Sequence, residues 1–268
     1  MKIAILYICT GAYTVFWPEF FSSCEEFFFP HDEKKYFIFT DGLQEVSAPN
    51  IQRIRQECMG WPYDTLKRFS LFKQIENDLS KFDLIFFCNA NVEFIAPIGK
   101  EILPRDKEKI IVVEHPYYTH RNRETFPYEN NVDSLAFIPR NLGNYYICGG
   151  FNGGYSTAYL KMINILEKNI SIDHDKGIIA VWHDESHINR YIIDHPHILL
   201  PAGFCSPQLE PAPQPLFVRI RDKLLYGGHA KLRGQVEPLP KKIKNTVKYI
   251  LARAGILPII YKIRKRWK

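Results

Sequence analysis

The chain of 268 residues is 46% hydrophobic, 24% charged and 14% aromatic, which excludes a disordered polymer and suits one large or two small folded domains. Its longest apolar runs, such as residues 84–88 and 256–261, fall far short of the ~20 residues of a membrane-spanning helix. Met1-Lys2 leads straight into a strand-like segment with no secretory leader pattern, so a cytoplasmic location is expected. The net charge of +6 is unevenly held: ten Lys and Arg and no acid lie in residues 239–268, leaving the rest at −4 and giving no case for nucleic-acid binding by the body.

Six cysteines (Cys9, Cys24, Cys58, Cys88, Cys148, Cys205) are scattered without a C-x-x-C pair, which fits a reducing compartment and gives no support for a zinc site. In chain order, residues 2–9 read as a buried strand ended by Thr10-Gly11, and residues 16–28 carry apolar side chains at helical spacing. Residues 36–40 form a second strand closed by Asp41-Gly42. Asp64 caps a helix through Leu79, with Leu66, Phe69 and Phe72 on its inner face. Residues 82–88 and 109–114 predict a third and a fourth strand. This alternation is that of a parallel sheet covered on both faces. From Pro116 to Gly153-Gly154 the sequence predicts loops, followed by a helix over 156–167, a polar helix from about Asp184 and an aperiodic proline-rich stretch over 201–215. No internal repeat is visible.

Ligands of open α/β sheets sit beyond the carboxyl ends of the strands, where Thr10, Asp41 and Asn89-Ala90-Asn91 fall. Asn89 and Asn91 share one side of an extended chain and can grip one ligand, although a strand-ending turn is the plainer reading. Trp182-His-Asp-Glu-Ser-His187 combines carboxylates, proton carriers and a flat apolar plate suited to the C–H face of a sugar. The same residues also read as a capped helix start, and H-x-x-x-H without a third ligand is a weak metal signal. Gly149-Gly-Phe-Asn-Gly-Gly154 lets a ligand approach the backbone or makes a tight turn; it is neither a dinucleotide fingerprint nor a P-loop. Arg219, Arg221, Lys223, Lys231 and Arg233 surround Tyr226-Gly-Gly-His229, either closing on a pyrophosphate or forming a solvated basic linker.

Taken together, these segments resemble glycosyltransferase family 6, which includes the histo-blood-group A and B transferases and α1,3-galactosyltransferase. Val181-Trp-His-Asp-Glu-Ser-His-Ile-Asn-Arg-Tyr191 is similar to the family's V-W-H-D-E-S-H-L-N-K-Y. Ala136-Phe-Ile-Pro-Arg140, Tyr145-Tyr146 and Gly149–Gly154 resemble A-Y-I-P-K…G-G-F-F-G-G, Phe39-Thr-Asp41 matches F-T-D, and His115-Pro116 matches H-P. The resemblance runs in order from about Ile3 to Arg233.

It implies a GT-A fold, with a Rossmann-like nucleotide half joined to an acceptor half in one domain over residues 1–238. It implies α1,3 transfer of galactose or N-acetylgalactosamine from a UDP donor to an acceptor galactose, fucosylated by default, with retention. On the resemblance, Thr10 and Tyr13 hold uridine, Arg68 contacts the donor sugar, and Cys148, Gly149 and Gly150 lie where the donors are discriminated. His183 and Asp184 face the donor sugar, and His115 and Trp182 the acceptor. Glu185, also facing the acceptor, is the nucleophile or the carboxylate that stabilises an oxocarbenium-like transition state.

Two departures from the vertebrate pattern stand out. Asn89-Ala90-Asn91 replaces D-x-D, resembling the bacterial N-x-N members that need no metal; no cofactor is therefore expected, Asn89 and Asn91 bond to the donor, and Lys231 and Arg233 take over the ion's electrostatic role. Cys205-Ser206 replaces an acceptor-facing Trp-Asp. Gly150 leaves room for an acetamido group, which favours UDP-N-acetylgalactosamine over UDP-galactose. A glycan-binding pseudoenzyme is opposed by retained Glu185, and an oxidoreductase by the first-loop glycine pattern. Over residues 239–268, Ile243, Val247, Ile250, Leu251 and Ala254 share a helical face among cations and a terminal Trp267, predicting either an anchor on an anionic membrane surface or a helix packed on the domain.

Overall fold

The computed structural model describes residues 1–43 and 46–266, with the side chains of 264–266 left aside. Trp267 and Lys268, which belong to the predicted tail, lie outside the described residues. The strands are β1 Lys2–Ile8, β2 Glu33–Thr40, β3 Ile51–Arg55, β4 Leu84–Cys88, β5 Val92–Phe94, β6 Ile110–Glu114, β7 Ile147–Tyr155, β8 His197–Leu200, β9 Ser206–Pro207 and β10 Val218–Ile220. The helices are α1 Trp17–Phe27, α2 Tyr63–Leu66, α3 Arg68–Lys73, α4 Glu76–Leu79, α5 Ser156–Asp175, α6 Asp184–Asp194, α7 Gly228–Leu232, α8 Leu239–Arg253 and α9 Ile256–Arg266.

Among the described residues, a seven-stranded sheet runs β3-β2-β1-β4-β7-β6-β8. The aliphatic strands read from sequence all appear. β1 pairs in parallel with β2 and β4, and its residues 3–7 are wholly buried. Covering helices divide the interior into two apolar layers. One holds Phe16, Phe20 and Phe28 from the α1 side, the other Phe69, Phe72, Met162 and Ile188 from α3, α5 and α6.

The expectation of a loop from Pro116 to Gly154 is corrected by β7, which lies antiparallel between β4 and β6 in the middle of the sheet. Glycine is depleted in strands and supplies no side-chain period, so the segment does not read as one. Packing explains the composition. A Cβ on Gly153 would lie 2.1 Å from Cδ1 of Phe86 on β4, whose ring fills the space above the glycine.

Other boundaries also shift. The predicted 64–79 helix is three short pieces, α2, α3 and α4. Asp64 sits inside the first turn of α2 with its carboxylate accepting from Met59 N (2.8 Å), rather than at the N-cap. The helix after β7 extends past Glu167 to Asp175 because buried Ile170 and Asp173 continue its inner face. β3 and β8 carry too few wholly buried residues to read as aliphatic strands. The cysteines are all free, and Cys58 alone among them is exposed.

Gly153→Ala is expected to cost about 1–3 kcal/mol in urea unfolding. Phe86→Leu in the same chain should recover part of that loss. Strictly additive costs would show that the ring is not what the glycine accommodates.

Candidate active site

The antiparallel pairing of β4 with β7 sets Cys88 opposite Phe151, and Asn89 N–H donates to Gly150 O at 2.8 Å. The end of one strand, Asn89-Ala90-Asn91, thereby meets Cys148-Gly149-Gly150 in the next. A Cβ on Gly150 would stand 3.0 Å from Asn89 Nδ2, so the glycine lets that amide keep its place.

α6 delivers the carboxylates. Its N-cap is His183, not the predicted Asp184, and Trp182 N–H donates to Ser186 Oγ at 3.0 Å. Asp184 and Glu185 therefore occupy the first helical turn, where the helix dipole favours negative charge. Arg68 Nη2 is 2.5 Å from Asp184 Oδ2, and Arg68 Nη1 donates to Gly149 O at 2.8 Å. Gly149 N–H in turn donates to Glu185 Oε2 at 2.7 Å, while the Tyr146 hydroxyl donates to Glu185 Oε1 at 2.8 Å. Burial raises Asp184 to about 6 and Glu185 to about 7, against the lowering effects of Arg68 and of these hydrogen bonds.

Beside this network lies a cavity of about 100 Å³ lined by Thr10, Tyr13, Arg68, Asn89, Asn91 and Arg233, and also by Trp61, Asp64 and Lys223. Six sequence-assigned donor residues thus meet on one small space. Arg68 Nε is buried without a protein partner, as a donor awaiting a ligand would be. Arg233 stacks over Trp61 at 3.7 Å, and the other neighbour of that indole is the His183 ring, edge-on at 4.6 Å. His183 has a φ of 55°, a left-handed conformation unusual for a non-glycine residue, and burial lowers its pKa.

Of the five cations around Tyr226-Gly-Gly-His229, Arg219 pairs with Glu93 (3.2 Å) and Arg221 with Glu19 (3.1 Å). Lys231, expected beside the donor phosphates, is exposed and borders a separate groove against α8 rather than this cavity. Lys223 occupies the cavity instead, with burial and Arg233 bringing its pKa down to about 8. Among the described residues neither Lys223 nor Arg233 forms a salt bridge, and both line the cavity with Asp64 as the carboxylate in its wall, while Asp222 acts on Lys223 from its own turn.

His187 is buried against Asp173 (3.7 Å), away from His183, so the two do not form a metal pair. The divalent ion of the D-x-D pattern does not suit this donor set: Asn89 and Asn91 are neutral amides, and Asn91 Nδ2 is committed to Arg221 O at 2.8 Å. Among the described residues no three His, Cys, Asp or Glu converge on one point. On the acceptor side, His115 packs against Tyr118 and Tyr146, with burial pushing it down to about 4, and Trp182 stands half exposed. Cys148 and Cys205 are both buried, and the neighbouring Cys148 thiol, burial and the Glu185 charge all push the Cys205 thiol up.

The model of glycosyltransferase family 6 matches residues 1–221. The chain belongs to glycosyltransferase family 6. The O-antigen biosynthesis glycosyltransferase WbnI of Escherichia coli is 32% identical over 83% of this chain and 95% of that protein. Globoside alpha-1,3-N-acetylgalactosaminyltransferase 1 of Gallus gallus is 27% identical over 81% of this chain and 65% of its own length. Histo-blood group ABO system transferase 1 of Rattus norvegicus is 28% identical over 68% of the chain and 54% of its own length. The chain therefore spans nearly all of the first relative but about half to two-thirds of the other two.

Family 6 membership makes the protein a glycosyltransferase with a GT-A-like fold, and implies a UDP-sugar donor and a glycan acceptor. Trp61 lines the cavity without being singled out in sequence, whereas Lys223 is one of five cations named there without being told apart from the rest. Trp61 lies in an aperiodic loop, and its one signal is an aromatic between Gly60 and Pro62.

Because Glu185 is protonated more readily folded than unfolded, its ionisation costs stability as pH rises from about 4.5 through about 7. Glu185→Gln is expected to raise stability by roughly 2–3 kcal/mol at mildly alkaline pH. In urea titrations that gain should shrink towards zero below about pH 4.5. A gain independent of pH would refute the assignment of the cost to this carboxylate.

Proposed function

We propose that this chain transfers N-acetylgalactosamine from UDP-N-acetylgalactosamine, in α1,3 linkage and with retention, to an acceptor galactose, fucosylated in its preferred substrate. The observation that carries the reading is the Glu185 carboxylate, fixed by Gly149 N–H and Tyr146 OH and bordered by the Arg68–Asp184 pair beside the cavity. A carboxylate at the anomeric carbon serves retention either as the attacking group or as the charge facing an oxocarbenium-like centre. Both roles need it ionised, and the two donors it accepts from favour that form.

Uridine lies against Thr10 and Tyr13 in this reading, and the free Arg68 Nε donates to the sugar. Gly150 is consistent with the N-acetylated donor, since a larger residue would crowd Asn89 as well as the acetamido group. The name of the Gallus gallus relative, an alpha-1,3-N-acetylgalactosaminyltransferase, points to the same chemistry. Turnover measured with both UDP-sugars and a fucosylated galactoside, with product mass, is expected to favour the N-acetylated donor at least tenfold, a margin of about 1.4 kcal/mol. A preference for UDP-galactose overturns the donor assignment, and binding without product leaves a glycan-binding pseudoenzyme.

Charge on departing UDP is stabilised in this proposal by Lys223 and Arg233, with Asn89 donating a hydrogen bond, rather than by a divalent ion. Fixed cations near a leaving phosphate need no reorganisation when the bond breaks. Phosphate also suits Lys223, because a dianion restores the ammonium that burial disfavours. Activity should persist in excess EDTA, and Arg233→Ala should lower kcat by about tenfold to a hundredfold. A large EDTA loss restored by Mn²⁺, together with an unimpaired Arg233→Ala enzyme, would sink this account.

A further inference from the structure

The segment beyond residue 238 presents its apolar residues the wrong way round for a helix that packs on its own domain. At about 100° per residue, Leu239, Ile243, Val247 and Ile250 of α8 fall within a sector of about 80°. That sector points outward: Ile243 and Ile250 are each 58% exposed, and Val247 is 51% exposed. The side bordering the groove against the body carries Lys242, Asn245, Thr246 and Tyr249, and α8 has no buried residue. α9 repeats the arrangement. Leu257 is buried, while Ile256, Ile259 and Ile263, spaced along one face, stand exposed. An amphipathic helix docked for stability alone turns its apolar stripe inward.

We propose that the outward faces of α8 and α9 form an interfacial anchor whose occupant is an anionic lipid surface. Charge selects that occupant. The ten cations of residues 239–268 are accompanied by no acid, and Lys244 and Arg253 flank the apolar sector of α8 where long side chains reach headgroups while their stems stay with the acyl boundary. A second copy of this chain is the poorer partner, since its own tail would bring the same uncompensated charge to the contact. The exposed isoleucines enter the interface, and the cations neutralise acidic headgroups. The proposal is independent of donor and acceptor identity.

The experiment is co-sedimentation of the full chain with vesicles of phosphatidylcholine alone or with about a quarter phosphatidylglycerol, at low and high salt. The anionic vesicles should bind at least about tenfold more strongly, and salt should weaken that binding. The Ile243→Asp/Val247→Asp/Ile250→Asp chain should lose about tenfold or more of its binding while keeping the wild-type melting temperature, because all three side chains are more than half exposed. The Lys241→Ser/Lys244→Ser/Lys248→Ser chain keeps the isoleucines and should lose the preference for anionic lipid. Equal pelleting with neutral vesicles, no pelleting, or unchanged binding by the Asp variant would each overturn the proposal. So would a dimer in lipid-free sedimentation that the Asp variant converts to monomer.

Discussion

Asp184 and Glu185 bring two adjacent carboxylates into the first turn of α6, and Arg68 pairs with Asp184. Removing charge from water is costly, and the surrounding geometry follows from meeting that cost. Arg68 reaches Asp184 from α3 and Gly149 O from β7, which fixes the helix against the sheet. Gly149 then presents its N–H to Glu185, and Tyr146, just before β7, supplies the second donor. Each group is held by a neighbour on a different element, so the site is rigid before any substrate arrives. The raised pKa values of both carboxylates are the residue of a desolvation that the hydrogen bonds only partly offset.

The two sides of the site differ in how they are built. The side proposed for the donor is a small cavity lined by Lys223 and Arg233, with Arg233 over the face of Trp61 and His183 edge-on to the same indole. The side proposed for the acceptor is a set of packed rings, His115, Tyr118 and Tyr146. Charge gathers where phosphate is expected, and flat apolar surface gathers where a sugar face is expected.

Much of this was legible in the sequence where local chemistry decides structure. The aliphatic runs of β1, β2, β4 and β6 read directly, and the strand-end rule located Thr10 and Asn89 without any motif. Less legible were features created by tertiary pairing. β7 is a strand because Phe86 and Asn89 press on its glycines, a cause distant in sequence. Lys223 and Lys231 are equivalent by charge, yet Lys223, which follows the Asp222 cap whose carboxylate accepts from Leu224 N at 2.8 Å, lines the cavity and Lys231 does not. His187 matches a ligand spacing, yet its helix face makes it a core residue.

The place of β7 in the sheet also bears on how the chain acquires its architecture. β1, β2, β3 and β4 precede it in sequence and can pair early, but β6 and β8 join them only across β7, which is antiparallel to both of its neighbours. Assembly of the sheet therefore waits for a glycine-rich strand of low intrinsic preference to be inserted between partners already made, a non-local closure of the kind that slows folding. Since Gly149 belongs to that strand, the amide that grips Glu185 is withdrawn from water only when the two halves have joined, and its hydrogen exchange is tied to opening of the sheet as a whole.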